Sequence, residues 1–296
     1  LVQNCGSATF EDCLVSKQIC FKILEDVAQD LSGDKVSFPT FLDITFQVRT
    51  ALKNPNLNVD QLAQLVGAEP LMSAKIISMS NSVAMNPGGR AVADVKTAIN
   101  RVGMEAVRTV SFAVAMEQLL KSKNMQNFGS LSQRLWEHTV HVAALCRVLA
   151  RKFSHTNPDE AMFAGLVHDI GVFYLLSRAA NFPELSADKA ELHSLLEQWH
   201  DNIGHALLAA LGQPEAVLKA VQEHETERAL SEIRTLPDVL FIANKMANTV
   251  CAWRDPQFGT PVDTSALTAL FDAETLQGLL EESDEEVASL KSALHG

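Results

Sequence analysis

In "AGLVHDIGVFYLL", residues 164–176, His168 and Asp169 stand side by side within an otherwise apolar, helix-length run. A buried carboxylate is costly unless it is paired, hydrogen-bonded or on a metal, so something must meet Asp169. Other polar groups occupy similar places. Leu131, Leu135, Val142, Leu145 and Leu149 form an apolar stripe at spacings of three and four whose missing member is His138, while His141 lies off it. Met162, Leu166, Phe173 and Leu176 leave a gap filled by Asp169, and Leu192, Leu196, Ile203 and Leu207 leave one filled by His200. Val217 and Val221 lead to His224, and Leu240, Ala247 and Cys251 bracket Asn244.

Neutral imidazole and carboxylate are the ligands that Zn²⁺, Mn²⁺ and Fe²⁺ favour, and helices can converge them in a bundle core. Each residue alone has a plainer reading. A single His on an apolar face is ordinarily a core His with one hydrogen bond, and an Asn there is ordinarily an inter-helix contact. Four His and one Asp on successive helices leave two readings open: a metal site, or a metal-free His–Asp hydrogen-bond cluster that specifies how the bundle packs.

The elements that must position these groups read as helices almost throughout, so the fold class is all-α. Apolar residues recur at three- and four-residue spacing, alternating runs are nearly absent, and the breaks are short. They are "SGDK" at 32–35, "NPGG" at 86–89, "HTNPD" at 155–159, "GQPE" at 212–215 and "RDPQFGTP" at 254–261. An amphipathic helix is expected in the first ~35 residues, with Phe10, Leu14, Phe21, Leu24 and Val27 as its apolar positions. A second is expected in "AETLQGLLEESDEEVASLKSALHG", its acidic face most simply a solvated one.

Composition narrows the partners. A formal net charge of −12 argues against an extended nucleic-acid footprint, which needs clustered Lys and Arg. Residues 58–81 scan like a helix-turn-helix, but their only charges are Asp60, Glu69 and Lys75, too few cations for phosphate contacts. Cysteines 5, 13, 20, 146 and 251 form no metal-type spacing and read as reduced thiols of a cytoplasmic protein. No apolar run is expected to reach the ~18 residues that span a membrane, and the first residues carry no signal-peptide pattern. Beginning at Leu1, the sequence is open to being a processed product or a piece of a longer one.

A His on one helix followed about thirty residues later by a His-Asp doublet resembles the HD superfamily of metal-dependent phosphohydrolases. The upstream half is more specific. "FPTFLDITFQVRTALKNPNLNVDQLAQLVGAEPLMSAKIISMSNS", with "AVADVKTAINRVGMEAVRTVSFAVAM", resembles the HDOD family, a signalling relative within that superfamily. Pro39, Leu62, Ala63, Pro70, Ala74, Asn81, Ser82, Ala98, Ile99, Val102 and Gly103 match its pattern, and "HDNIGHALLAALGQPEAVLKAVQEHE" fits its second half.

The resemblance spans roughly 37–247 and implies an all-α, multi-helix HDOD/HD-type bundle. The expected units are an N-terminal helical extension (1–36), an HDOD domain (37–247) and a C-terminal helical extension (248–296). Within the domain, an upstream lobe (37–125) precedes an HD-like lobe (126–247). The family also implies a regulatory role, often beside receiver domains, with some or all catalytic ligands lost.

Carried over residue by residue, the implied ligands are His138, His168 and Asp169, with Asp169 the candidate catalytic residue. His200 and His224 match the extra histidines of two-metal HD enzymes. Glu225 stands where those enzymes carry a second adjacent His, and it can still ligate. The last ligand should be Asp but is Asn244, with Asp238 six residues earlier on the same helix. Asn offers a neutral carbonyl and balances no metal charge. Val172 stands where many active relatives have Lys, and the "GYP" signature of cyclic-dinucleotide phosphodiesterases is absent.

The expectation is therefore a signalling module with a degraded metal site, holding a divalent ion (Fe, Mn, Zn or Mg) or none. It would act through signalling protein partners or a sensed ligand, with no role for membrane. The competing expectation is a metal-dependent phosphohydrolase acting on a phosphate ester or nucleotide.

Overall fold

Apolar spacing turns into helix along the whole of the computed structural model, which describes residues 10–32, 43–82, 85–86, 88–254 and 263–295. No strand occurs among the described residues. Pro39, part of the family pattern, lies outside them, as do much of "SGDK" and "RDPQFGTP". An N-terminal helix α1 (Phe10–Ser32) precedes an upstream group of α2 (Asp43–Leu52), α3 (Val59–Gly67), α4 (Pro70–Asn81), α5 (Val95–Val102), α6 (Met104–Leu120) and the single turn α7 (Lys123–Gln126). The second group is α8 (Gly129–Phe153), α9 (Pro158–Val167), α10 (Ile170–Ala179), α11 (Pro183–Ala187), α12 (Lys189–Ala210), α13 (Glu215–Glu223) and α14 (Leu236–Val250). The chain finishes with α15 (Ser265–Leu270) and α16 (Ala273–His295).

Local chemistry sets the boundaries. Asn58 and Gln61 form a reciprocal capping box at the start of α3, and Thr235 and Asp238 form another at α14. Asp94 caps α5 and Asn157 caps α9, while Pro70, Pro158 and Pro183 fall in first turns, where a missing N–H costs nothing. In the upstream group α4 packs on α5 and α2 on α6. In the second, α8 packs against α9 and α14, and α12 bridges α10 and α13. The groups meet where α6 crosses α9: Phe112 stands edge-on to Phe163, whose ring also lies under the Arg108 guanidinium.

Four expectations need correction. The apolar run around the doublet is two helices, since the chain leaves α9 at Val167 and re-enters helix at Ile170. The stretch Pro158–Ala179 does reach membrane-spanning length and apolarity, against the sequence expectation, but 89% of its most apolar 18-residue window is buried inside the fold. On α1 the buried positions are Ser16, Cys20, Ile23 and Val27, with Leu24 packed half-buried beside them, so of the expected positions Val27 and Leu24 face inward but Phe21 is exposed. The acidic face of α16 is partly buried, because Glu282 and Glu286 pair with Arg147, Arg151 and Lys152 of α8.

Two glycines set the spacing around the doublet. A Cβ on Gly165 would lie 2.7 Å from the Ala143 Cα of α8, and one on Gly171 would lie 2.0 Å from the His200 carbonyl oxygen of α12. Glycine on each side of His168–Asp169 thus lets the helix carrying His138 and the helix carrying His200 approach the same point.

Candidate metal centre

That point is where the polar groups converge. His138 comes from α8, His168 and Asp169 from the α9–α10 break, His200 from α12, His224 from the end of α13 and Asn244 from α14. All six are buried, and Asp169 is 1% exposed.

Each imidazole is held the same way. His138 Nδ1 lies 2.8 Å from the Cys251 carbonyl, His168 Nδ1 2.8 Å from that of Gly165, His200 Nδ1 2.8 Å from that of Leu196 and His224 Nδ1 2.6 Å from that of Val221. A carbonyl only accepts, so each Nδ1 carries a proton and donates it. In the neutral ring Nε2 is then a bare lone pair, which is the tautomer a metal ligand needs and the outer support that fixes it.

The four Nε2 atoms face Asp169 from two sides. On its Oδ2 side, His168 Nε2 is at 3.1 Å and His138 Nε2 at 3.9 Å. On its Oδ1 side, His224 Nε2 is at 3.7 Å and His200 Nε2 at 3.9 Å. The ligand atoms of His138, His168 and Asp169 lie within 4.8 Å of one another, as do those of Asp169, His200 and His224. His200 also belongs to a third such group with Asp201 and Glu225. Glu225 Oε1 is 3.7 Å from His200 Nε2 and 3.8 Å from His224 Nε2.

Acceptors facing acceptors need a cation. The Nε2 atoms of His168, His200 and His224 and both Asp169 oxygens are buried without a hydrogen-bond partner. These residues therefore fit a divalent ion in type, burial and orientation. Protons are the other available cations, and the acid–base balance reflects that. Burial opposes charge on every group here. The histidines, His168 first, nonetheless hold the Asp169 carboxyl well below its usual range. The nearby Asp201 and Glu225 carboxylates raise His200 well above its usual value, and the Asp169 and Glu225 carboxylates raise His224. His138 goes the other way: burial outweighs the Asp169 charge and lowers it to about 4.

Asn244, expected at the last ligand position, places its Oδ1 3.0 Å from His138 Nε2. With Nδ1 of His138 committed to Cys251, both of these atoms carry lone pairs. A cation between them satisfies the contact, and so does rotation of the Asn244 amide. Asp238 is not an alternative. Its Oδ2 accepts from the Thr235 N–H at 2.9 Å and the Thr235 hydroxyl at 2.7 Å, committing it to the α14 cap.

Apolar periodicity does not reveal the cover. Cys251, Ala252, Trp253 and Arg254 leave the end of α14 without periodicity, yet Trp253 is 1% exposed with its ring edge-on to His200. Arg254 bonds Glu225 and lies 3.4 Å from Glu197. A Trp-Arg pair ahead of a Pro- and Gly-rich stretch was the one available signal.

The sequence model of the HDOD domain matches residues 38–227, more than half of the chain but stopping short of Asn244. No curated protein matches. Solved structures do. One, from Shewanella amazonensis SB2B and provisionally named a metal-dependent phosphohydrolase, shares 23% identity over 93% of this chain and 99% of its own, with a TM-score of 0.71. An HDOD domain protein of unknown function from Geobacter sulfurreducens shares 18% identity over 96% of both chains, with a TM-score of 0.54. One from Marinobacter aquaeolei VT8, provisionally named a signal transduction protein, shares 17% identity over 94% of this chain and 65% of its own, with a TM-score of 0.58. At these identities the likeness establishes the fold.

Proposed function

The chain belongs to the HDOD domain family, and from that premise we propose that it is a regulatory, signal-transducing member with a reduced metal centre. It acts by binding a protein partner or a ligand rather than by turnover. The observation that carries this reading is Asn244, a neutral amide at the position where the family pattern calls for the final carboxylate. His138, His168, Asp169 and Asn244 would hold an ion on one side of Asp169, with His200, His224 and Glu225 on the other. A bound divalent ion supplies Lewis acidity to such a centre. The chain's own contribution is to fix four imidazoles by their Nδ1–H bonds, aim Nε2 inward and keep the ligands out of bulk water. With one anion fewer than the pattern requires, the centre retains an ion less firmly and neutralises less of its charge.

The orphaned Nε2 atoms and Asp169 oxygens favour a second reading, a metal-dependent phosphohydrolase acting on a phosphate ester or nucleotide, with Asp169 as its catalytic carboxylate. One experiment separates the two. Wild type, Asn244→Asp and His168→Ala are assayed on a panel of phosphate esters and nucleotides with Mn²⁺, Fe²⁺ or Mg²⁺. The regulatory reading expects no turnover by wild type. Hydrolysis by wild type that is preserved or raised in Asn244→Asp and lost in His168→Ala would replace it with the enzyme reading.

A further inference from the structure

We infer that Arg254 is the chain's own cation for one side of this centre: its guanidinium takes the charge role of a second divalent ion, so that the site accepts one ion rather than two. This rests on the metal reading above and deepens it.

The two sides of Asp169 are not equivalent. On the Oδ2 side the donors are His138, His168 and Asn244, and among the described residues no Lys or Arg is bonded to any of them. On the Oδ1 side the extra carboxylate is Glu225, and the oxygen that faces His200 Nε2 and His224 Nε2 is the same Oε1 that accepts the Arg254 Nη2–H. An ion held by that oxygen would lie within a few ångströms of a guanidinium that stays charged at any working pH. Like charges so placed disfavour each other strongly in a dry site.

Arg254 is not free to swing clear. Its Nε is 3.4 Å from Glu197 Oε1, and Glu197 and Glu225 are the carboxylates it pairs with. The backbone behind it is pinned as well. The Trp253 carbonyl accepts from Arg134 Nε at 3.3 Å, the Trp253 ring packs against His193 and His200, and the Cys251 carbonyl receives the His138 Nδ1–H. Cys251, Trp253 and Arg254 thus touch both sides of the centre. All lie outside the stretch that matches the family model.

The test is the stoichiometry and affinity of Mn²⁺ on ion-free protein, read by calorimetry and by elemental analysis after gel filtration. Wild type is expected to bind one ion per chain. Arg254→Met keeps similar bulk without charge and should bind two, or tighten a weak second step by about tenfold or more. Arg254→Lys keeps the charge and should remain at one. Glu197→Gln alters no candidate ligand, loosens Arg254 from outside and should tighten the second step by less. It keeps the question answerable if Arg254→Met does not fold.

Two comparable ions on wild type, or one ion on both wild type and Arg254→Met, would overturn the inference and leave the metal reading standing. No ion on any of the proteins would overturn both.

Discussion

Two buried clusters of ionisable groups sit in this chain, one in each half, and they are built on opposite principles. In the upstream half Lys75 of α4, 1% exposed, lies 2.8 Å from Glu117 Oε2 of α6, and Lys121 reaches the other oxygen of the same carboxylate. Charge meets charge, and each of these ions has an opposite partner within the protein. In the second half Asp169 faces four imidazole Nε2 atoms, and three of these with both its oxygens lack hydrogen-bond partners. Burial alone therefore does not mark a functional site. The first cluster spends its ions on joining α4 to α6, whereas the second gathers groups able to hold a cation, with no Lys or Arg among the described residues bonded to its Oδ2 side.

The largest expected effect breaks the complete cluster. Glu117→Ala leaves Lys75 as a buried, unpaired cation and should cost about 3–5 kcal/mol in urea unfolding. Pairing it with Lys75→Met should recover much of that loss, because replacing both ions by apolar bulk removes the desolvation penalty together with the attraction. The same pair bears on the helix-turn-helix pattern of residues 58–81. Its one cation is turned into the core, so α4 has no exposed Lys or Arg to offer a phosphate backbone.

The second effect completes the incomplete cluster. Mn²⁺ at about a hundred times its dissociation constant should add about 2.7 kcal/mol to the stability of the ion-free protein. It should add nothing to His168→Ala, and chelator should reverse it in wild type. Paired unfolding curves with and without ion check this, and an equal increment in the variant would detach stabilisation from the site.

Much of this contrast was legible in the sequence, for a specific reason. A polar residue filling a gap in a three-four apolar stripe is visible without coordinates, and His138, Asp169, His200, His224 and Asn244 were each found that way. What periodicity cannot carry was lost. The break between α9 and α10 is silent because Gly165, His168 and Gly171 interrupt an apolar run without any Pro or polar cluster. Phe21 was misplaced on α1 because it outweighed Cys20 and Ile23 as a hydrophobe, although Ile23 continues the buried spacing. The cover over the centre has no period at all. Arg254 meets Glu225 across 29 residues, a pairing that only the turn after α14 creates.

The smallest effects compare one substitution at two places. Gly67→Ala at the end of α3 adds a Cβ with nothing within 4 Å, at a backbone conformation open to any residue. Removing a glycine from a helix under those conditions should stabilise by a few tenths to about 1 kcal/mol. Gly171→Ala adds the same methyl where the His200 carbonyl oxygen would lie 2.0 Å away. Backbone cannot rotate aside as a side chain does, so α10 or α12 must shift, at about 1–3 kcal/mol. The shift also carries functional information, since moving α12 carries His200 away from Asp169. Gly171→Ala should therefore lower Mn²⁺ affinity as well as thermal stability, while Gly67→Ala leaves affinity unchanged. If Gly171→Ala lost stability but bound the ion as wild type does, the close approach of α10 and α12 would be a packing feature only. The glycines flanking the doublet would then have no part in assembling the centre.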